Sequence, residues 1–201
     1  VVTKGSDHTY PLLWTSQLKG DFAQRMFEND LFNLRKYLQT MQNKGYTLLS
    51  FNGCGFDFDV LTEECPSDDW KHLALSHVDL FFHIFCAKGY SKGLDRIAQY
   101  YKMGKPEGVN GAKAPQMWLD GQYHQVLDYC ANDVQLTLDL ADQAERNGIL
   151  QWVSNKGDVD TCSFENGLLT VEDALKLPEP DNSWMGDNAW KRSKFTEWIN
   201  G

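Results

Sequence analysis

The chain has 201 residues, of which 42% are hydrophobic and 13% aromatic, and its formal net charge is −9. This length and apolar content predict one folded domain with appendages and exclude disorder on a large scale. The acidic charge argues against a protein that coats nucleic acid through a broad basic surface. It does not exclude an enzyme that handles nucleic acid through metal ions, because divalent cations neutralise clustered carboxylates.

No apolar run approaches the length of a membrane span, and the first ten residues lack the layout of a signal peptide. We therefore expect a cytoplasmic protein without membrane association. The five cysteines are scattered and form no Cys-x-x-Cys pair. This pattern is typical of reduced thiols in a core and argues against disulfides or a cysteine zinc site.

The N-terminal third of the sequence predicts a hairpin, a helix and a strand. Residues 1–3 and 9–14 look extended and are separated by turn-forming residues. Apolar residues then recur at helical spacing over 22–44. An apolar strand is predicted at 46–51, and 59–64 is predicted to open another helix.

The middle of the sequence predicts a short apolar strand at 77–82 and a helix over 91–104 with Ser91 as its cap. The glycine and proline content of 105–115 predicts a loop. The strongest helical pattern of the chain follows at 124–146. Alternating strands and helices favour a layered α/β domain.

The C-terminal part predicts a hairpin over 150–164 and a short helix over 171–177. We divide the chain into a domain over 1–150 and an extension over 151–201 that packs on it. The aromatic residues of the tail are Trp184, Trp190, Phe195 and Trp198. They invite a base-stacking interpretation, although packing against the core is the ordinary one.

A carboxylate follows the apolar strand at 46–51. Asp57 lies after Asn52 and two glycines and is flanked by phenylalanines. The ordinary explanation is an aspartate that bonds nearby backbone amides in a glycine-rich turn. The flanking rings instead suggest a tight loop that presents an acid beside apolar walls, where a base or sugar would lie.

Tyr129 and Asp133 lie four residues apart in the predicted helix over 124–146, so they share one face. A carboxylate binds a hard divalent cation and a phenol can aim a water molecule, so the pair suits hydrolysis. A Tyr and an Asp at this spacing also occur by chance on many partly exposed helices.

Together these two patterns resemble a known family. Asn-x-x-x-Phe-Asp at 52–57, followed by Tyr-x-x-x-Asp at 129–133, is similar to the second and third motifs of the DEDD 3′–5′ exonucleases. These enzymes have the ribonuclease H-like fold. The similarity is greatest to the proofreading domains of B-family DNA polymerases and their stand-alone relatives, and it covers residues 46 to about 150. The tail also resembles extensions of bacterial and phage relatives.

The resemblance implies a ribonuclease H-like mixed sheet flanked by helices, with a small C-terminal hairpin and helix extension. It implies hydrolysis of phosphodiester bonds with two Mg²⁺ or Mn²⁺ ions, and a nucleic acid with a free 3′ end as partner. Single-stranded DNA is favoured, with RNA as the alternative. The implied metal-binding and catalytic carboxylates are Asp57 and Asp133, and Tyr129 would orient the attacking water. The implied substrate-binding residues are Asn52, Gly53 and Phe56.

The family's first motif, an Asp-x-Glu on an opening strand, is absent from this sequence. Asp7 and Asp21 do not fit it, because they are predicted in a turn and at a helix cap. Either the sequence is a fragment that begins after that strand, which we favour, or the protein has lost catalysis. The alternative function is a catalytically inactive ribonuclease H-like module for nucleic-acid binding or interaction.

Three further residue sets have ordinary structural interpretations. Asp59 is expected to cap the helix that follows it, and Asp79 to bond backbone at a strand end. The spacing of His72, His77 and His83 fits no common zinc site. These histidines are therefore expected in the core or on the surface.

Overall fold

The computed structural model describes residues 31–104 and 113–200, together with the backbone of three short strands nearer the N-terminus. These strands are β1 (Val2–Thr3), β2 (Leu13–Ser16) and β3 (Gln24–Phe27), and they pair antiparallel in that order. The pairing of β1 with β2 confirms the predicted hairpin.

The helix predicted over 22–44 is wrong in its first part. Helix α1 spans Leu31–Asn43, and Gln24–Phe27 forms β3 instead. Pairing with β2 overrides the helical periodicity of this segment, as tertiary contacts often do. Asn29 and Asp30 directly precede Leu31, and both residue types favour the start of a helix.

The next elements form a parallel strand pair with its crossover. Strand β4 (Leu49–Ser50) pairs with β5 (Val78–Asp79). Between them lie a π-helical turn (Gly53–Asp57), α2 (Phe58–Glu64) and α3 (Asp68–Ser76). The predicted strand at 46–51 and the helix opening at 59–64 are therefore confirmed in type.

Helix α4 (Leu80–Lys88) corrects the predicted strand over 77–82, of which only Val78–Asp79 is extended. Asp79 ends the strand and caps the helix, because its carboxylate accepts a hydrogen bond from the backbone N–H of Phe82 at 3.1 Å. The apolar run therefore changes from strand to helix within itself. Sequence periodicity cannot separate the two in so short a run.

Three helices follow, α5 (Leu94–Tyr100), α6 (Ala114–Leu119) and α7 (Tyr123–Asn147). Helix α7 confirms the strongest helical prediction. The cap of α5 is Gly93 and not Ser91, and α6 begins inside the loop predicted at 105–115. Residues 105–112 of that loop lie outside the described residues. A proline in the first turn of α6 suits its start, since the missing N–H would have no partner within the helix.

The C-terminal part begins with a hairpin of β6 (Ile149–Val153) and β7 (Val159–Ser163), which confirms that prediction. Helix α8 (Val171–Ala174) is shorter than predicted. A 3₁₀ turn (Ser183–Asn188) and α9 (Ser193–Asn200) complete the tail. The mixed α/β class with flanking helices is confirmed, and the described strands pair as three small sheets.

The largest hydrophobic core forms where α4, α5, α7 and the hairpin meet. Its fully buried members include Leu80, Ile97, Leu140, Leu150 and Trp152. Residues from both sides of position 150 thus share one core, and the division of the chain at that position stays a prediction. None of the helices in the described ranges is long and apolar enough to cross a membrane.

All five cysteines are free thiols and four of them are buried, which confirms their predicted place in the core. Burial raises the pKa of Cys162 to about 11 and that of Cys86 to about 12. These thiols therefore stay protonated near neutral pH and have little nucleophilic character.

The carboxylate of Asp79 is 1% exposed and joins two distant parts of the chain. Besides the N–H of Phe82, it accepts hydrogen bonds from the N–H of Asn52 at 2.8 Å and of Cys54 at 2.9 Å. The predicted backbone-bonding role of Asp79 is confirmed. This carboxylate fixes the path of the chain as it leaves β4.

His77 supports the same turn from the other side. It is fully buried, its Nδ1 lies 2.6 Å from the carbonyl oxygen of Ala74, and its Nε2 lies 2.8 Å from Ser50 Oγ. Burial lowers the pKa of His77, so the ring is neutral, with Nδ1–H as donor and Nε2 as acceptor. Ser50 Oγ in turn accepts the N–H of Gly53 at 3.2 Å.

His83 is the second buried histidine, at 3% exposure, while His72 is exposed. The Nδ1 atom of His83 accepts the backbone N–H of Leu169 at 3.3 Å, and its ring meets Phe164 edge-on at 4.7 Å. Burial lowers the pKa of His83 to about 4. The core and surface positions expected for the histidines are confirmed.

Replacing Asp79 by Asn should lower the free energy of unfolding by about 2–3 kcal/mol, because an amide cannot accept all three backbone hydrogen bonds. The measurement is urea unfolding followed by circular dichroism. Asp68→Asn is the matched control, since its side chain is 88% exposed, and it should shift stability by less than about 0.5 kcal/mol. Equal stability of the two variants would contradict the role given to Asp79.

Acid should destabilise the fold through His83. The pKa of His83 is about 6.5 in the unfolded chain and about 4 in the folded chain. At pH values between these two, the imidazole is mostly protonated in the unfolded chain and mostly neutral in the folded chain. Stability from this residue is therefore complete above about pH 6.5 and is lost as the pH falls towards about 4, by at most about 3 kcal/mol.

His83→Gln should consequently show a shallower loss of unfolding free energy on acidification than the wild type. Exposed His72→Gln should follow the wild-type pH dependence. Urea unfolding at a series of pH values gives the comparison, and parallel curves for His83→Gln and the wild type would refute the assignment.

Candidate functional site

The predicted acid-bearing segment forms a turn directly after β4, which we call the acid-bearing turn (residues 52–57). Asn52 has φ 66° and ψ 24°, a left-handed conformation that Asn tolerates better than most residues. The chain then runs through the π-helical turn and enters α2 at Phe58. Single π-helical turns are frequent at functional sites.

The glycines of this turn are required by close packing. A Cβ atom on Gly53 would lie 2.6 Å from the Cβ of Ser50, and one on Gly55 would lie 2.7 Å from Cδ1 of Phe195. Neither position has room for a side chain. The structure thus gives Gly53 a steric role, and its contact with substrate stays a prediction.

The C-terminal helix α9 holds the turn in place. The indole Nε1–H of Trp198 donates to the carbonyl oxygen of Cys54 at 2.7 Å, and Cys54 Sγ lies 3.4 Å from the carbonyl oxygen of Phe195. Phe195 is 5% exposed, so the predicted packing of the tail is confirmed for these two aromatic residues. It is wrong for Trp184 and Trp190, which are 69% and 50% exposed.

The turn carries an exposed aromatic ring and a half-buried carboxylate at consecutive positions of the chain. Phe56 is 46% exposed and Asp57 is half-buried at the N-terminus of α2. Asp59 lies inside the first turn of α2, whose N-cap is Asp57, so the capping role predicted for Asp59 is wrong.

The other two predicted site residues lie in a cleft between α5 and α7. Tyr129 and Asp133 are both half-buried, and their i, i+4 spacing places them together on one wall of a cleft of about 600 Å³. The opposite wall comes from α5 and its N-cap, and its residues are Gly93, Leu94, Asp95, Arg96 and Gln99.

Sequence reasoning missed Arg96 and Gln99. Both are exposed and three residues apart, so they share the face of α5 that turns away from buried Ile97 and Ala98. The sequence predicts an amphipathic helix over 91–104, and the polar residues on the face opposite its apolar residues include Arg96 and Gln99. That polar face was the signal by which they could have been found. They bring a cation and an amide to a cleft that also contains the carboxylates of Asp95 and Asp133.

The acid-bearing turn and the cleft are connected through β4. Helix α7 packs against β4, which leads directly into the turn. In the described part of the chain, the cleft is lined from α5 and α7 and not by Asp57. Nor do the described residues contain a group of three or more His, Cys, Asp or Glu side chains placed to hold a metal ion.

Comparison with protein families gives a match over most of the chain. The family described as the RNase_H superfamily matches residues 14–145, a range that contains most of β2, the elements from β3 to α6, most of α7, the acid-bearing turn and the cleft. No curated protein and no solved structure matches the chain. Because the family match spans more than half of the 201 residues, the chain belongs to the RNase_H superfamily.

Proposed function

We propose that this protein is a metal-dependent 3′–5′ exonuclease that hydrolyses phosphodiester bonds of DNA and prefers single strands with a free 3′ end. Membership of the RNase_H superfamily indicates a nucleic-acid hydrolase or binding protein. To this the proposal adds the direction of digestion and the identity of the substrate. They rest on the two exonuclease-like motifs at 52–57 and 129–133.

The observation that carries the proposal is the shared cleft of Tyr129, Asp133 and Arg96. A guanidinium forms two parallel hydrogen bonds to a phosphate, so Arg96 would hold the scissile group against the opposite wall. The hydroxyl of Tyr129 would orient a water molecule towards that phosphate. Asp133 follows Tyr129 by one turn of α7, so its carboxylate lies beside the same position.

The acid-bearing turn supports the same substrate. Phe56 directly precedes Asp57 in the chain and exposes a flat apolar ring, and unpaired bases stack on such rings. Asn52 and Gly53 would form the backbone against which the terminal nucleotide lies. Their conformation is set by the hydrogen bonds to Asp79 and Ser50.

The proposed cofactor is a pair of Mg²⁺ or Mn²⁺ ions. The carboxylates of Asp57 and Asp133 have the hard oxygen donors that these ions prefer. Since the described residues form no group of three or more possible ligands, these two carboxylates do not make a two-ion site by themselves. The metal requirement therefore rests on the resemblance of the motifs. It is tested separately by comparing digestion with Mg²⁺ or Mn²⁺ and digestion with a chelator.

A nucleic-acid-binding module without hydrolysis is the second candidate. It is supported by Arg96 and Gln99, because a guanidinium and an amide bind phosphate without a metal ion. Both candidates predict binding of single-stranded DNA. Only the exonuclease predicts products that shorten from the 3′ end.

The exonuclease is tested by digestion of 5′-labelled single-stranded DNA with Mg²⁺ or Mn²⁺ and with a chelator. Asp57→Asn and Asp133→Asn should each lower the rate by about a hundredfold or more, because each variant loses a carboxylate proposed to hold a metal ion. Tyr129→Phe should lower it on the order of tenfold, the effect of one hydrogen bond.

The matched control is Asp139→Asn, a half-buried aspartate of the same helix that bonds Gln135, and it should digest at the wild-type rate. Wild-type rates in Asp57→Asn and Asp133→Asn would refute the site. Binding by a folded wild type that never digests DNA would favour the binding module.

Arg96→Gln should weaken binding of single-stranded DNA and reduce its salt dependence. Loss of one phosphate contact lowers the slope of log K against log salt by about 0.7 for a single strand. Fluorescence anisotropy with a labelled oligonucleotide in chelator, over a series of salt concentrations, measures both quantities. The control is Arg146→Gln, whose exposed side chain lies in the last turn of α7, and identical slopes in both variants would exclude the phosphate contact.

A further inference from the structure

Trp190 exposes half of its surface in a segment that is otherwise firmly attached. Tryptophan is enriched at contact sites, because its large ring packs against a partner while its N–H can find a polar group. We propose that Trp190 and Lys194 form a stacking site for an unpaired base of single-stranded nucleic acid beside the acid-bearing turn. The inference rests on the proposed function in one respect, namely that the ligand is nucleic acid.

The position of Trp190 follows from its contact with Phe195. The two ring centroids lie 6.0 Å apart at 56°, and Phe195 packs so closely on Gly55 that no Cβ fits there. Gly55 directly precedes Phe56, which is 46% exposed. Buried Phe195 therefore connects the exposed ring of Trp190 to the turn that carries Phe56 and Asp57.

The segment is held rigidly by Arg192, two residues after Trp190. Its guanidinium donates four hydrogen bonds of 2.7–3.0 Å to carbonyl oxygens of Cys86, Leu175, Leu177 and Pro178. On the other side of Phe195, Trp198 bonds the carbonyl oxygen of Cys54. A ring held in place in this way loses little conformational entropy when a base stacks on it.

Charge favours a polyanion at this ring. Lys194 Nζ lies 3.6 Å from the ring centroid of Trp190, and Lys191 is exposed beside it. Glu197 is the only carboxylate among residues 190–200, although the whole chain has a net charge of −9. A base would stack on the ring of Trp190, and Lys194 would move from the ring to the adjacent phosphate. Such an arrangement binds single strands without sequence preference.

The test measures binding of a short 5′-fluorescein-labelled oligothymidylate by anisotropy, in chelator so that no digestion occurs. Trp190→Ala should weaken binding roughly fivefold or more, the effect of one stacked base, whereas Trp190→Phe should retain most of the affinity. Lys194→Glu should weaken binding without disturbing the fold, because its side chain is exposed. Circular dichroism verifies that each variant is folded.

The matched control is Trp184→Ala. Trp184 is even more exposed at 69%, lies in the same tail, and packs edge-on against Tyr90 at 5.8 Å rather than against Phe195. Its removal should change the dissociation constant by less than about twofold. Quenching of tryptophan fluorescence by the oligonucleotide should decrease in Trp190→Phe and persist in Trp184→Ala.

The outcomes separate this inference from the proposed function. If the wild type binds and digests DNA but Trp190→Ala and Lys194→Glu bind as tightly as the wild type, the stacking site is refuted and the exonuclease stands. If the wild type neither binds nor digests DNA, both fail. If Trp190→Ala abolishes a wild-type dimer in sedimentation and leaves oligonucleotide binding unchanged, the ring contacts a second copy, which also refutes the inference.

Discussion

One buried carboxylate determines where the candidate site lies. Asp79 stands opposite Ser50 in the parallel pair of β4 and β5, and it accepts backbone hydrogen bonds from Asn52, Cys54 and Phe82. A buried charge is stable only when its oxygens are bonded in this way. The same bonds turn the chain sharply after β4, begin α4 after β5, and set the conformation of the turn that ends in Asp57.

The second organising element is α7. Its apolar face fills the main core through residues such as Leu140, while Tyr129 and Asp133 line the cleft shared with α5. Because α7 also packs on β4, which leads into the acid-bearing turn, this one helix lines the cleft and supports the strand that precedes the turn. Arg96 gives this acidic chain a local cation in the cleft, at the position where the proposed function places a phosphate.

The C-terminal tail contributes directly to this arrangement. Trp198 bonds the backbone of the acid-bearing turn, and Phe195 occupies the space that a side chain at position 55 would need. Arg192 fastens the tail to α4 and to the segment after α8. The geometry of the turn therefore depends on the tail as well as on Asp79, and the exposed ring of Trp190 is placed by the same contacts.

The sequence by itself determined the elements whose signal is local. The helix at 124–146, the hairpin at 150–164 and the shared face of Tyr129 and Asp133 follow from periodicity and turn residues within each segment. Only the tertiary structure decided that Gln24–Phe27 is a strand, because its pairing with β2 and its packing against the distant helix α7 outweigh the helical spacing of its own apolar residues. For the same reason, the sequence could not show which aromatic residues of the tail are buried, or that Arg96 lies across a cleft from Asp133.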